Sequence, residues 1–333
     1  MRYSVGLIAV ACVASLVGGG VEGRVDTPFY PPRAVPAKSV SFEENLAKGY
    51  LKPISQDLKD ELYKKRAYVM AAYALSDDEE QSALKKLLKR ANVEFVSSFQ
   101  FKRPEHASYV AVNHEEKIIA VVFRGALGSI ALEQGFDSGL VSWPAYPGTS
   151  IHQGFLSGYS VGSEAIHVSF FSTFGQYPDY RVWVMGHSMG GIHATIAAMD
   201  LLHQCDVRAS AEPDSVDCQK LGQNMEVTSF NRARFGDKAL VDAFNALNIR
   251  NYRVSHEADV MGIYPNPILG YTQENNEIWF HGGTAYECAP SEEYETKYCH
   301  GSTEVDEYSM ADHLLVPMAD LLGLNAPRPK AHL

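Results

Sequence analysis

Ser188 lies in a sequence pattern that can make a serine hydroxyl nucleophilic. It is the central residue of a G-x-S-x-G motif, with Gly186 and Gly190 two positions to either side. A β-branched run precedes the motif and an alanine-rich run follows it, which predicts a strand, a tight turn and a helix. The turn is so tight that the residues flanking the serine need to lack side chains. This context, more than the short motif itself, indicates a nucleophile beside a helix N-terminus that favours developing negative charge.

A serine nucleophile requires a general base and a group that orients the base. In a strand–turn–helix architecture of this kind, the chain order is serine, acid and then histidine. The candidates after Ser188 are three aspartates, Asp237, Asp242 and Asp259, and four histidines, His256, His281, His300 and His313. Asp259 follows a predicted strand, at the strand-end position typical of such an acid, and His313 lies late in the chain. We interpret the others as surface or supporting residues.

Strands alternate with helices along most of the chain. Helices are predicted at 56–75, 78–90 and 189–202, and strands at 108–112, 117–123, 181–185, 226–230, 252–255 and 277–280. This alternation indicates an α/β fold whose sheet carries helices on both faces. No internal repeat or linker divides the chain, so residues 56–333 are predicted to form a single catalytic domain. The basic cluster at 85–90 is interpreted as a solvated helix end.

The first residues have the features of a targeting segment. A positive residue, Arg2, precedes a short apolar run, and small residues follow up to Gly23. Residues 1–23 are therefore predicted to be a secretory signal peptide, with an uncleaved signal anchor as the alternative. The proline-containing segment 24–55 is predicted to be an extended arm or a propeptide. No later segment is apolar enough to span a membrane, so we expect a secreted protein, with an endolysosomal or vacuolar destination as the alternative.

Composition limits the partners of this chain. The 333 residues carry a formal net charge of −11, which argues against binding to a nucleic-acid backbone. Loss of the predicted signal peptide would leave four cysteines, which suggests two disulfides in a secreted chain. Three pairings are possible, and the short sequence separations favour Cys205–Cys218 and Cys288–Cys299. The cysteine spacings are not those of a zinc site, and we expect neither a metal nor an organic cofactor.

The sequence resembles the class 3 lipase family of the α/β-hydrolases, the group of filamentous-fungal triacylglycerol lipases. The matching blocks occur in the family's order at 121–125, 151–155, 176–178, 186–191, 227–230, 234–236, 252–254, 259 and 312–314. The resemblance implies a predominantly parallel central sheet flanked by helices. It also implies a Ser188–Asp259–His313 triad, with His187 as part of the turn around the nucleophile, and an oxyanion hole formed by the backbone N–H groups of Ala126 and Met189.

Two features depart from the family pattern. Ala126 stands where the family commonly has serine or threonine, so the additional hydroxyl donor is missing. Loss of one oxyanion-hole donor costs about 10²–10³-fold in rate in other enzymes. The family's lid is expected between residues 127 and 141, but this segment lacks tryptophan and has Gly135 near its centre. The segment fits a mobile amphipathic lid or a plain surface loop.

Three functions are compatible with this pattern. The first is a secreted hydrolase acting on lipid esters, most simply a triacylglycerol lipase, with no cofactor. The second is a carboxylesterase, feruloyl esterase or phospholipase A1 on the same scaffold. The third is a non-catalytic relative that binds lipid. The candidate triad favours the first two functions, while Ala126 keeps the third open. Oligomeric state is not predicted.

Overall fold

The structure is a computed structural model that describes residues 41–76, 78–127, 135, 139–212, 216–291, 297–304 and 307–314. The predicted signal peptide (1–23), residues 24–40 of the predicted arm, and most of the predicted lid (128–134 and 136–138) lie outside these residues. In the part that the structure describes, no helix is long and apolar enough to cross a bilayer.

The described residues form alternating strands and helices. The strands are β1 Leu51–Pro53, β2 Val93–Lys102, β3 Glu105–Asn113, β4 Ile118–Phe123, β5 Leu140–Ser142, β6 Ser150–His152, β7 Arg181–His187, β8 Met225–Phe230, β9 Arg250–His256, β10 Glu277–His281 and β11 Thr284–Cys288. The α-helices are α1 Phe42–Ala47, α2 Gln56–Ala71, α3 Asp78–Arg90, α4 Gln153–Gln176, α5 Met189–Ala211, α6 Cys218–Asn224, α7 Lys238–Ala246 and α8 Met310–Leu314. Short 3₁₀ turns occupy Ala72–Ser76, Val260–Ile263, Pro267–Leu269 and His300–Ser302.

Nine strands form one mixed sheet in the order β1-β11-β10-β9-β8-β7-β4-β3-β2. Its five central strands, β4, β7, β8, β9 and β10, are parallel, and antiparallel strands extend the sheet at both edges. The predicted α/β class with a parallel central sheet is therefore confirmed. Part of the predicted arm belongs to this sheet, because Leu51–Pro53 pairs with β11 and α1 precedes it.

The central strand β4 is apolar throughout because both faces of the sheet are covered there. In β4, Ile119, Val121 and Phe123 pack with residues of α4 and α5 on one face. The alternate residues of the same strand pack with α2 on the other face. Successive side chains of a strand point to opposite faces, so this six-residue strand contributes to both cores. The rigid centre of the sheet fixes the strand ends that carry the site.

Two disulfides close local loops. Cys205 in the C-terminal part of α5 is bonded to Cys218 at the start of α6, with Cα atoms 5.7 Å apart. Cys288 at the end of β11 is bonded to Cys299, with Cα atoms 6.0 Å apart. The structure therefore contains the two pairings that the sequence separations favoured.

Acid should destabilise the fold through histidines in its core. His106 on β3 donates from Nδ1 to the Gly158 carbonyl (3.1 Å) and accepts from the Ser108 hydroxyl (2.8 Å). Burial lowers the pKa of His106 to about 4, against about 6.5 in an unfolded chain. The unfolded state therefore binds more protons between these values, and stability falls as pH decreases from 6.5 to 4.

We expect this one residue to contribute about 3 kcal/mol to that loss. The melting temperature should fall between pH 7 and pH 4, and it should fall less in His106→Asn. The half-buried His203 on α5 provides the matched control, His203→Asn. Equal pH dependence of the melting temperature in wild type and His106→Asn would contradict this assignment.

Candidate active site

Ser188 lies on a strained turn between β7 and α5. Its backbone angles, φ 56° and ψ −129°, are ones that a non-glycine residue rarely adopts. Two glycines make the turn possible. A Cβ atom at Gly186 would clash with the carbonyl oxygen of Gly190, and one at Gly190 would clash with the carbonyl oxygen of Phe123. Because both obstacles are backbone atoms, the turn has no room for side chains at these two positions.

The structure brings together three of the side chains singled out in the sequence. His313 Nε2 lies 2.8 Å from Ser188 Oγ. On its other side, His313 Nδ1 lies 2.9 and 3.0 Å from the two carboxylate oxygens of Asp259. All three residues are buried. Since a carboxylate only accepts, Nδ1 carries the proton and Nε2 is free to accept from the serine hydroxyl. This is the hydrogen-bond order of an activated serine nucleophile.

The segments that carry Asp259 and His313 are joined to each other by hydrogen bonds. Asp259 follows β9 and caps the turn Val260–Ile263 by accepting from the Met261 N–H (2.7 Å). The Ser309 N–H, just before α8, donates to the Ala258 carbonyl (2.7 Å). These contacts bring the N-terminus of α8 against the end of β9. A distant segment thereby places His313 beside the central sheet.

The remaining candidates lie elsewhere. Asp237 caps the N-terminus of α7, and Asp242 on the same helix pairs with Lys238 at 2.8 Å. His281 lies 3.0 Å from the Glu257 carboxylate. His256 and His300 lie near the candidate triad but contact backbone carbonyls, at Asp312 and Asp259 respectively. The hydrogen bonds of the His313 imidazole go to Ser188 and Asp259.

The two predicted oxyanion donors lie on two segments that adjoin Ser188. Met189 is the first residue of α5, where backbone N–H groups have no acceptor within the helix. Ala126 lies in the loop after β4, and a Cβ atom on the adjacent Gly125 would lie 3.2 Å from Ser188 Cβ. Glu105 fixes this loop by pairing with Arg124 (2.6 Å) and accepting from the Leu127 N–H (3.2 Å). The loop and the helix N-terminus therefore border the same space beside Ser188.

Two residues near the site were not predicted from the sequence. Tyr73 contributes its hydroxyl at 2.7 Å from His187 Nδ1. Glu105 secures the loop around Ala126, as described above. Neither residue is part of a short motif, and each acts through contacts more than 15 positions away. The sequence showed only the apolar patterns near these residues, which predicted a helix at 56–75 and a strand at 108–112.

One group of three potential metal ligands occurs among the described residues: Glu277, Cys288 and Cys299. The two cysteines are joined in a disulfide, and therefore offer no thiolate to a metal. Ser255 and Arg253 hydrogen-bond the Glu277 carboxylate. The chemistry supported by the geometry at Ser188 uses side chains and backbone N–H groups.

A nucleophile on a strand–helix turn of a parallel sheet, followed by an acid and a histidine, defines an α/β-hydrolase fold. Solved structures agree with this class. The native propeptide complex of Rhizomucor miehei lipase superposes with a TM-score of 0.67 at 21% identity, covering 88% of each chain. Lipase II from Rhizopus niveus has a TM-score of 0.66 at 22% identity, covering 79% of this chain and 96% of its own.

Sequence comparisons show similarity to one family of lipases. A sequence model of the family described as Lipase (class 3) matches residues 120–268. A lipase from Rhizomucor miehei is 29% identical over 208 residues, covering 62% of this chain and 53% of its own. Secreted mono- and diacylglycerol lipase 1 from Fusarium solani is 25% identical over 176 residues, 53% of this chain and 48% of its own. Residues 120–268 thus match the class 3 lipase family, and the chain spans about half the length of these relatives.

Proposed function

We propose that this chain is a serine hydrolase of carboxylic esters, with Ser188 as nucleophile, His313 as general base and Asp259 as the group that orients it. The observation that carries the proposal is the continuous contact from Ser188 Oγ through the His313 imidazole to the Asp259 carboxylate. The match of residues 120–268 to the class 3 lipase family supports the same activity.

The proposed reaction has two acyl-transfer steps. His313 Nε2 takes the proton of Ser188 as the oxygen attacks the ester carbonyl, and Asp259 stabilises the imidazolium that forms. The backbone N–H groups of Ala126 and Met189 stabilise the tetrahedral oxyanion. His313 then gives its proton to the leaving alcohol. Water, activated by the same histidine, hydrolyses the acyl-enzyme and regenerates Ser188.

We propose acylglycerols as the substrates. The names of the relatives from Rhizomucor miehei and Fusarium solani support a lipid ester. Apolar side chains near the site support it as well. Leu127 follows the proposed oxyanion residue Ala126, and Met310 lies on α8 with His313; both are exposed. Ile268 and Leu269 form an exposed apolar turn in the loop after Asp259.

The first test compares the purified protein with Ser188→Ala on p-nitrophenyl esters of increasing acyl length and on emulsified triacylglycerol. Serine-dependent hydrolysis of long chains, rising above the solubility limit of the substrate, would support a lipase. Activity confined to short soluble esters would overturn the lipid assignment in favour of an esterase. Equal rates for the two proteins would overturn the proposed activity altogether.

The apolar turn Pro267–Leu269 should affect activity only at a lipid surface. Ile268 is 83% exposed and Leu269 54% exposed, and Tyr264 ties their loop to the predicted lid through a 2.5 Å hydrogen bond to the Gly135 carbonyl. Full burial of one apolar side chain of this size in lipid contributes about 1.5–3 kcal/mol, so this is the most that each of the two can add to surface binding. We expect the double variant Ile268→Ser/Leu269→Ser to lower hydrolysis of emulsified triacylglycerol about tenfold or more. A loss of about 1.4 kcal/mol in surface binding is enough for this effect, because it corresponds to a factor of 10.

Hydrolysis of a short soluble ester should stay near the wild-type rate in this variant. Val168 on α4 and Val207 on α5 provide a matched control, since they are 64% and 48% exposed and lie on the helix surface. Val168→Ser/Val207→Ser should leave both activities unchanged. A parallel loss on soluble and emulsified substrates would show that the turn supports the fold and does not bind a lipid surface.

We also propose that the protein is secreted, with residues 1–23 acting as a signal peptide. The two disulfides support an oxidising compartment, and the Fusarium solani relative is named as a secreted enzyme. Expression of the full chain in a eukaryotic host, followed by N-terminal sequencing of the protein in the medium, tests both points. Retention of the protein in the cell with residues 1–23 attached would contradict them.

A further inference from the structure

Three histidines outside the proposed triad donate to backbone carbonyls of the two loops that hold it. His187 Nε2 lies 3.2 Å from the His313 carbonyl oxygen. His300 Nε2 lies 2.7 Å from the Asp259 carbonyl oxygen. His256 Nδ1 lies 3.1 Å from the Asp312 carbonyl oxygen. We refer to His187, His256 and His300 as the backing histidines. A carbonyl only accepts, so each imidazole must present an N–H to it.

All three backing histidines are held neutral at neutral pH. Burial lowers the pKa of each of them. The buried guanidinium of Arg66 lowers the pKa of His187 and His256 further, because a second positive charge nearby is unfavourable. A neutral imidazole has one N–H, and in each backing histidine that N–H is the one committed to the carbonyl. The second nitrogen must then be an acceptor.

In His187, the second nitrogen accepts a hydrogen bond from a tyrosine hydroxyl. The Tyr73 hydroxyl lies 2.7 Å from His187 Nδ1, and both side chains are buried. Donation from Tyr73 to Nδ1 fixes the tautomer in which Nε2–H faces the His313 carbonyl. The His187 ring also stacks on the His313 ring, with centroids 4.9 Å apart and planes at 28°. His187 therefore constrains both the backbone and the imidazole of His313.

His300 constrains the acid in the same way. It directly follows Cys299, which the disulfide joins to Cys288 at the end of β11. Its ring packs against Gly262, where a Cβ atom would clash with the imidazole. The Tyr308 hydroxyl, from the segment leading to α8, donates to the His300 carbonyl (3.2 Å). His300 therefore connects the sheet edge with both loops of the proposed triad.

We propose that the backing histidines are positioning residues for the triad. They hold the backbone at Asp259, Asp312 and His313, so that the His313 imidazole keeps its distances to Ser188 and Asp259. The catalytic consequence of this inference rests on the proposed hydrolase function. The hydrogen bonds themselves are independent of it, because each joins an imidazole N–H to a main-chain carbonyl oxygen whether or not an ester is hydrolysed.

The test compares substitutions that keep or remove the donor. His300→Gln places an amide N–H near the position of Nε2, whereas His300→Leu fills similar space without a donor. We expect His300→Leu to lower kcat on p-nitrophenyl butyrate about 10²-fold, the scale of a 1 Å misplacement of reacting groups. KM should change less than threefold, since His300 is buried beneath the loop. His300→Gln should recover kcat to within about fivefold of wild type.

Tyr73→Phe, a milder change, should lower kcat about three- to tenfold because it releases the tautomer of His187.

Hydrogen–deuterium exchange provides a readout that does not require activity. His300→Leu should increase deuterium uptake in peptides covering 257–263 and 309–314, and His300→Gln should not. Equal loss of kcat in the Leu and Gln variants, or wild-type kcat and exchange in both, would overturn the positioning role. If the wild type hydrolysed no ester, the proposed function would fail, and exchange alone would decide whether the backing histidines hold these loops. If His300→Leu did not fold, the test would use Tyr73→Phe, whose kcat and exchange would be compared with those of the wild type to measure the role of His187.

Discussion

Replacing Ser188 with alanine should lower ester hydrolysis by a factor on the order of 10⁶. The hydroxyl is the only group in the proposed mechanism that can form the acyl-enzyme, and it lies 2.8 Å from the proposed base. The remaining rate would come from the oxyanion donors and substrate binding alone. Alanine fits the turn no worse than serine, so circular dichroism should match the wild type. The measurement is kcat/KM on p-nitrophenyl butyrate with purified, folded protein.

Ser160 provides a matched control for this variant. Its hydroxyl lies on the exposed surface of α4 and donates within the helix to the Leu156 carbonyl (2.7 Å). Ser160→Ala should keep the wild-type kcat/KM. Retention of more than about one hundredth of the activity by a contaminant-free Ser188→Ala sample would show that another residue is the nucleophile.

Asp259→Asn should lower kcat by a factor on the order of 10⁴. The carboxylate accepts from His313 Nδ1 and is itself 1% exposed, so no solvent can replace its charge. An asparagine amide can stabilise the imidazole tautomer with the proton on Nε2, which cannot accept from Ser188. The Met261 N–H can still donate to the asparagine side-chain oxygen. The substitution should therefore remove activity while preserving the loop.

Asp242→Asn is the control, since Asp242 pairs with Lys238 on the surface of α7. This variant should keep the wild-type kcat and melting temperature, because exposed ion pairs contribute little stability. A near-normal rate for Asp259→Asn, together with a large loss for Asp242→Asn or Asp237→Asn, would transfer the orienting role to α7.

The local features of the site were predictable from the sequence. The strand–turn–helix around Ser188 is encoded by neighbouring residues, and the structure places β7 and α5 on either side of the serine. The central strands β4 and β7 were visible as short apolar runs because both sheet faces bury them. The strands predicted at 108–112 and 117–123 are also present, and they form the antiparallel pair of β3 and β4. In these cases the determining residues are adjacent in the sequence.

Features that depend on long-range pairing were not predictable. The outer strands β1, β2 and β11 are short or only partly buried, so their sequences lack a continuous apolar run. Strand β1 was assigned to an extended arm, although its partner β11 lies more than 200 residues later in the chain. The contact between Tyr73 and His187 joins residues 114 positions apart. Proximity of this kind follows from the sheet order, which neighbouring residues do not specify.

The antiparallel edges have a physical role at the site. Because β11 extends the sheet beyond β10, the disulfide at Cys288 can fasten the segment that contains His300. That segment contacts the backbone of Asp259. The site therefore depends on the rigid parallel centre for Ser188, and on the sheet edge for the loops that carry the other two members of the proposed triad.

The central claim is that Ser188 is the nucleophile, and covalent labelling tests it most directly. Purified protein would be treated with diethyl p-nitrophenyl phosphate, which phosphorylates an activated serine, and then analysed by intact mass and peptide mapping. We predict one diethylphosphoryl group per chain, located on Ser188, with esterase activity lost in proportion to labelling and no labelling of Ser188→Ala. Labelling of a different residue, or ester hydrolysis that persists after Ser188 is fully modified, would contradict the proposed mechanism.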